Sequence, residues 1–237
     1  MRALAIVHQR DAGPGVFGHA MREQGIELDH WFRTETDDPP RDPGEYGAVL
    51  TFGGAMHVDQ EEIHPWLADE KALLRSLLDR GVPLLGVCLG SQLLAEAAGG
   101  SARRARVPEI GWLEVEVTAE GAADPLLGPL APRFEVFEWH SYEFDLPPGA
   151  AALARTPACL QAYRVGDSAW GIQFHAEVSA PDTESWIDDY RNDADAIGVG
   201  IDAEGLREET RAKLSTWNEL GRGLCDRFLA AAQARVA

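Results

Sequence analysis

The chain has 237 residues, 45% hydrophobic and 25% charged, enough to build a sizeable core without staples, and its cysteines at 88, 159 and 225 do not make a disulfide framework. A formal charge of −18, from 39 acidic against 21 basic residues with lysine only at 71 and 213, argues against nucleic acid as a partner. No apolar stretch reaches the ~18 residues of a membrane span, and MRALAIVHQR (1–10) reads as a short strand with no signal core behind it, so a cytoplasmic protein with no membrane association is expected.

ALAIV (3–7) predicts a first strand, followed by the loop DAGPG, a helix near 16–24 and a second strand over 26–32. Residues 34–47 are polar and turn-rich; AVLTF (48–52) is then a short buried strand that ends at Gly53 and Gly54. Over 64–80, Leu67, Leu73, Leu74, Leu77 and Leu78 form an apolar face at helical spacing, with Pro65 in the first turn and Gly81 as the stop. PLLGV (83–87) is the next strand. WLEVEV (112–117) and FEVFEW (134–139) alternate as half-buried antiparallel strands do, and LQAYRV and SAWGIQF give two more around a Gly-Asp turn. The tail from 203 to 233 is a long amphipathic helix on Leu206, Leu214, Trp217, Leu220, Leu224, Phe228 and Leu229, interrupted at GRG (221–223).

This rhythm predicts an α/β protein with a mostly parallel central sheet flanked by helices and a small antiparallel extension. With no repeat and no long linker, residues 1–237 read as one domain, with additional C-terminal helices over about 181–233. Residues 181–209 carry ten carboxylates against two arginines, which suits a solvated face or a docking surface for a basic partner. Trp186, Tyr190 and Trp217 in that tail suit helix packing first and partner contact second.

Cys88 stands in VPLLGVCLGSQLLAEAA (82–98), where an apolar strand meets a helix with Gly86 and Gly90 two residues to either side. A crowded strand-to-helix turn favours glycine at both positions, turns the sulfur outward and sets it near the positive end of the helix. The backbone N–H of Leu89, in the first helical turn, is a donor for developing negative charge. A thiol there still needs a base. Of seven histidines, His175 ends the apolar run GIQFHAEV with Glu177 two residues on, on the same side of an extended backbone. Glu177 can accept from one ring nitrogen while the other faces the sulfur, which fixes the tautomer and stabilises the imidazolium.

GVCLGSQ (86–92), Gly53-Gly54 and HAE (175–177), in this order, resemble the class I glutamine amidotransferase family, most closely the stand-alone members similar to the amidotransferase domain of GMP synthase. The likeness covers about residues 45–180 and implies a flavodoxin-like sheet with a Cys-His-Glu triad. It implies that Cys88 attacks the side-chain amide of glutamine to give a γ-glutamyl thioester, with His175 as base and then acid and Glu177 orienting it. It also implies an oxyanion hole from the backbone N–H groups of Gly54 and Leu89. Gln92 matches the glutamine of the cysteine motif and is implied to hold substrate. WHSYEF (139–144) stands where the family often has a histidine, a small residue and an aspartate, so His140, Ser141 and Tyr142 are implied to meet the substrate. Tyr142 and Glu143 depart from the aspartate, which leaves a γ-glutamyl compound open as substrate beside glutamine. Glu109 in PEIGW is read as structural.

Nothing in the pattern calls for a metal or a cofactor, and no Gly-rich nucleotide loop is present to consume the ammonia. Three readings stay open at this point: a glutaminase serving a synthase on a separate chain, a stand-alone γ-glutamyl hydrolase, and a non-catalytic binding or regulatory protein of the same fold. The oligomeric state is not set by the sequence.

Overall fold

The short apolar runs of the sequence become strands covered on both faces, as a parallel sheet between helical layers demands. The computed structural model describes residues 1–236. Strand and helix alternate through the first half: β1 (Arg2–Val7), α1 (Gly15–Glu23), β2 (Glu27–Phe32), β3 (Ala48–Thr51), α2 (Trp66–Asp79), β4 (Leu84–Val87) and α3 (Leu89–Ala97). Then come β5 (Ala102–Val117), α4 (Ala119–Ala122), β6 (Arg133–Phe144), β7 (Ala151–Arg155), β8 (Leu160–Val165) and β9 (Ala169–Ile172). Helices α5 (Ala180–Asp189), α6 (Ala194–Val199) and α7 (Ala203–Val236) close the chain.

All nine strands lie in one sheet, ordered β2-β1-β3-β4-β9-β8-β7-β5-β6. The pairs from β2 to β9 are parallel and those from β9 to β6 antiparallel. Along β1, Ala3, Ala5 and Val7 face one core layer with Phe17, Phe174, Trp217 and Phe228, while Leu4 and Ile6 face the other with Leu67, Leu74 and Leu93. That alternation is the two-residue period of a strand buried on both sides.

The antiparallel part is larger than an extension. β5 and β6 span 16 and 12 residues and form the outer ladder, where β5 begins ten residues before WLEVEV. Its first stretch, ARRARVPE, shows no apolar alternation because it lies at the margin of the sheet, with Arg103 paired to Glu143 and Asp145. β7 is a further strand beyond those the sequence pattern predicts.

The tail differs in a way that bears on function. α7 runs unbroken through GRG (221–223). A Cβ on Gly221 would lie 2.0 Å from the carbonyl oxygen of Ala176, so this glycine lets the helix press against the backbone between His175 and Glu177. It marks a close approach rather than a helix end.

Candidate active site

Strands β1, β3, β4 and β9 all deliver their C-terminal ends to one cavity of about 540 Å³, the position where open α/β sheets bind ligands. β4 runs into Cys88, which has φ 51° and ψ −112° and is the one non-glycine residue with positive φ among the described residues. The crowding that imposes this is visible on both sides. A Cβ on Gly86 would sit 2.6 Å from Gly90 O, and one on Gly90 would sit 2.1 Å from Thr51 O. The Cys88 N–H donates to Ile172 O at 2.9 Å, and its carbonyl accepts from the Ser91 hydroxyl at 2.6 Å. The backbone is strained and pinned, with the side chain aimed at the cavity.

β9 ends at Ile172, so His175 stands in the loop beyond the strand rather than on it. Its position is fixed from several directions. The His175 N–H donates to Phe137 O (2.9 Å), and its carbonyl accepts from Trp217 Nε1 on α7 (2.8 Å). The ring packs against Trp186 of α5 at a steep angle, with centroids 4.7 Å apart. Nδ1 lies 2.8 Å from Glu177 Oε1. Burial disfavours the imidazolium, but the Glu177 carboxylate and the Cys88 sulfur outweigh it and hold His175 well above its usual range. The chain thus brings together Cys88, His175 and Glu177, with Glu177 buried behind the ring and outside the cavity lining.

Gly53 and Gly54 follow β3 beside this pair. A Cβ on Gly53 would lie 3.2 Å from His175 Cε1 and 3.6 Å from Cys88 Cβ, so any side chain there would wedge into the couple. Gly54 and Leu89 both line the cavity and adjoin each other, a Cβ on Gly54 falling 3.6 Å from Leu89 Cδ2. The anchor of this loop is not among the residues the sequence singles out. His8, just past β1, directs Nδ1 to Phe52 O (2.9 Å) and Gly53 O (3.3 Å) and Nε2 to Glu70 of α2 (3.0 Å), and Thr51 donates to the same carboxylate at 2.7 Å. His8 ends the run ALAIVH just as His175 ends its own apolar run, which is the one signal that could have exposed it.

The substrate-binding candidates Gln92, His140, Ser141 and Tyr142 all reach the cavity. Gln92 is buried, not solvent-facing, and its amide donates to Tyr142 O and Gln173 Oε1 (both 3.2 Å). Tyr142 stacks on His57 (4.2 Å) and donates to Asp59 (3.1 Å). Ser141 shares the lining with Asp195, which pairs with Arg104. The His140 ring turns to the wall behind: Nδ1 is 2.9 Å from Tyr142 O, and Nε2 is 3.3 Å from Glu109 and 3.5 Å from Glu138. Glu138, unflagged by the sequence, is fully buried, and burial together with the nearby Glu109 charge pushes its carboxyl well above the usual range. The roof of the cavity comes from the C-terminal segment, through Ser185, Trp186, Asp189, Asn192, Asp193 and Asp195.

The family model for glutamine amidotransferase class-I matches residues 16–189. The chain belongs to that family. It is 32% identical over 172 residues to one subunit of the glutamine-hydrolysing GMP synthase of Natronomonas pharaonis, covering 70% of this chain and 84% of the relative. It is also 32% identical over 153 residues to a γ-glutamyl-L-1-hydroxyisopropylamide hydrolase from a Pseudomonas species, covering 61% of this chain and 51% of that one. The crystal structure of a glutamine amidotransferase from Thermotoga maritima superposes with a TM-score of 0.86 at 32% identity, covering 96% of this chain and 97% of its own. This amidotransferase is therefore a cysteine-dependent hydrolase acting on glutamine or another γ-glutamyl compound. No helix among its described residues is long and apolar enough to cross a membrane.

Proposed function

We propose that the protein, acting as one unit over residues 1–237, hydrolyses the side-chain amide of glutamine and passes the ammonia to a separate synthase. The observation that carries the reading is the convergence of the strained Cys88 and His175 on one cavity wall, with Glu177 behind the ring. The Cys88 sulfur attacks the amide carbon, and the oxyanion takes hydrogen bonds from the Leu89 and Gly54 N–H groups; losing one such donor costs about 3–4 kcal/mol in a well-studied hydrolase. His175 gives its proton to the nitrogen, the C–N bond breaks, and ammonia leaves a γ-glutamyl thioester on Cys88. Water then attacks the thioester while His175 takes up its proton, releasing glutamate and restoring the sulfur. Glu177 holds the ring by Nδ1 throughout. Gln92 and the segment His140–Tyr142 hold the glutamyl end.

A second reading, hydrolysis of a γ-glutamyl amide with a larger amine, draws support from the roof that the chain's own residues 185–195 place over the cavity and from the likeness to the γ-glutamyl-amide hydrolase. Turnover of glutamine and of a series of γ-glutamyl alkylamides by the purified chain separates the two. The first reading expects glutamine hydrolysis that rises when a synthase partner is added. Fast cleavage of several alkylamides with poor use of glutamine would sink it in favour of the second.

A further inference from the structure

Behind the cavity wall lies a second cluster of side chains, of which only His140 enters the proposed chemistry, and that through its backbone. Glu109 of β5, His140 of β6 and Cys159 in the turn between β7 and β8 bring one polar atom each to within 4.8 Å of one another, with Glu138 of β6 against the same imidazole. Cys159 Sγ is 3.2 Å from Glu109 Oε2, and His140 Nε2 is 3.3 Å from that oxygen and 3.5 Å from Glu138 Oε2. Three of the four residues are buried, and Glu138 is wholly so.

The hydrogen bonds within the cluster do not close. His140 Nδ1 faces the carbonyl of Tyr142 at 2.9 Å, and a carbonyl only accepts, so Nδ1 carries the ring's hydrogen. In the neutral ring Nε2 then bears a lone pair, and it points at the oxygens of two glutamates. Consistent with this, His140 Nε2 and both oxygens of Glu138 have no hydrogen-bond partner among the described residues. No lysine or arginine forms an ion pair with Glu109 or Glu138 among those residues. A ring held at Nδ1–H by a backbone carbonyl with Nε2 directed at a thiol and carboxylates is the arrangement by which proteins orient a metal-ligating histidine. The spacing agrees as well. Bonds of about 2.0–2.3 Å in a tetrahedral zinc site separate the donors by about 3.3–3.7 Å, close to the Cys159–Glu109 and His140–Glu109 separations, and all three donors lie within 4.8 Å of one another. Gln161 Nε2, 2.8 Å from Glu109 Oε2, supports the ligand from outside.

We propose that Glu109, His140 and Cys159 form a three-ligand site for a divalent transition metal of zinc type, with the Glu138 carboxyl set beside the His140 ring. The ion joins β5, β6 and the β7–β8 turn directly beneath Ser141 and Tyr142, so its role is to brace the cavity wall, not to touch the reacting atoms. Binding displaces the Cys159 thiol proton to solvent and leaves sulfur as a ligand.

The test uses the full chain, produced without a metal-chelating tag, stripped with chelator, reloaded with Zn²⁺ alone and dialysed. Elemental analysis is expected to find about one zinc per chain. Loading with Co²⁺ instead is expected to give a thiolate-to-cobalt charge-transfer band in the near ultraviolet. That band is lost in Cys159→Ser and kept in Cys88→Ala, which isolates this site from the nucleophile. Glu109→Gln is expected to weaken zinc binding at least tenfold while the chain keeps its circular dichroism. Substoichiometric zinc on folded wild-type protein would overturn the proposal, and so would a cobalt band that follows Cys88 instead of Cys159. Neither outcome bears on glutamine or γ-glutamyl turnover, which is measured separately.

Discussion

Strands β1 and β9 each lead into a histidine buried against a glutamate, His8–Glu70 at 3.0 Å and His175–Glu177 at 2.8 Å. The two pairs differ in what the second ring nitrogen meets. For His8 it is the carbonyl oxygens of Phe52 and Gly53, so both nitrogens are committed to holding a loop. For His175 the ring shares the cavity lining with Cys88, whose sulfur helps to raise its pKa. A histidine–carboxylate pair is thus a common structural device, and it becomes a proton carrier where one nitrogen is left facing a reacting group. The surroundings follow the same division. His8 is stacked on Trp66 within the wall, whereas His175 is held through its own backbone and by Trp186, leaving the ring's far edge to the cavity.

The strongest way to break this comparison is to remove the sulfur. Cys88→Ala is expected to abolish turnover while circular dichroism stays native; full activity would erase the distinction between the pairs. Cys88→Gly is expected to be equally inactive but more stable to urea than the alanine variant by about 1 kcal/mol, because glycine relieves the positive φ. The pairs then separate by readout. His175→Gln is expected to lower kcat/KM by about 10³-fold or more, as loss of a general base with its orienting carboxylate does. His8→Gln instead is expected to cost about 3–5 kcal/mol of stability, since it leaves Glu70 buried without its partner. Its kcat, measured well below the melting temperature, is expected to fall far less. Equal kinetic damage from both variants would mean that His8 also handles the proton.

A pH series sharpens the structural half. Burial works against charge on His8, but Glu70 outweighs it, so the His8 pKa lies above the ordinary 6.5. Burial raises Glu70, but His8, Thr51 and Arg33 outweigh that and bring it below the ordinary 4.5. A raised histidine contributes stability that is complete below 6.5 and disappears as pH rises through the folded value. A lowered carboxylate contributes stability that is complete above 4.5 and disappears as pH falls through the folded value. The stability gap between wild type and His8→Gln is therefore expected to be widest between pH 4.5 and 6.5 and to narrow on both sides. A gap that grows steadily towards alkaline pH would show that the pair is not ionic.

The parallel half of the fold is legible in the sequence because each buried strand is a contiguous apolar run and each helix carries its own period. The start of β5 is not, because its arginines find glutamate and aspartate partners at a sheet margin and leave no apolar pattern behind. In the site, Cys88 is exposed by its flanking glycines and His175 by a carboxylate two residues away, both local signals. His8 and Glu70 are 62 residues apart, and Glu138 reads as the polar face of an alternating strand until the fold seals it in. Gly221 misleads for the same reason: a glycine within a helical run looks like a stop unless the backbone it touches, 45 residues earlier at Ala176, is known.

That glycine supports the last and smallest test, one that acts on the His175–Glu177 side alone. The added methyl of Gly221→Ala would fall 2.0 Å from Ala176 O, and backbone cannot yield as a flexible side chain can. Overpacking of this kind costs about 1–3 kcal/mol. Because the displaced carbonyl lies between His175 and Glu177, kcat is expected to drop roughly in step, by about tenfold, without any change at the His8 loop. Gly223→Ala is the matched control on the same helix. Its methyl would meet only the end of the Arg227 side chain, at 3.1 Å, so it is expected to gain about 0.5–1 kcal/mol from helix propensity and leave kcat alone. Urea unfolding with steady-state kinetics on both variants checks the pair. If Gly221→Ala were as harmless as Gly223→Ala, α7 would not be what holds the HAE segment in place.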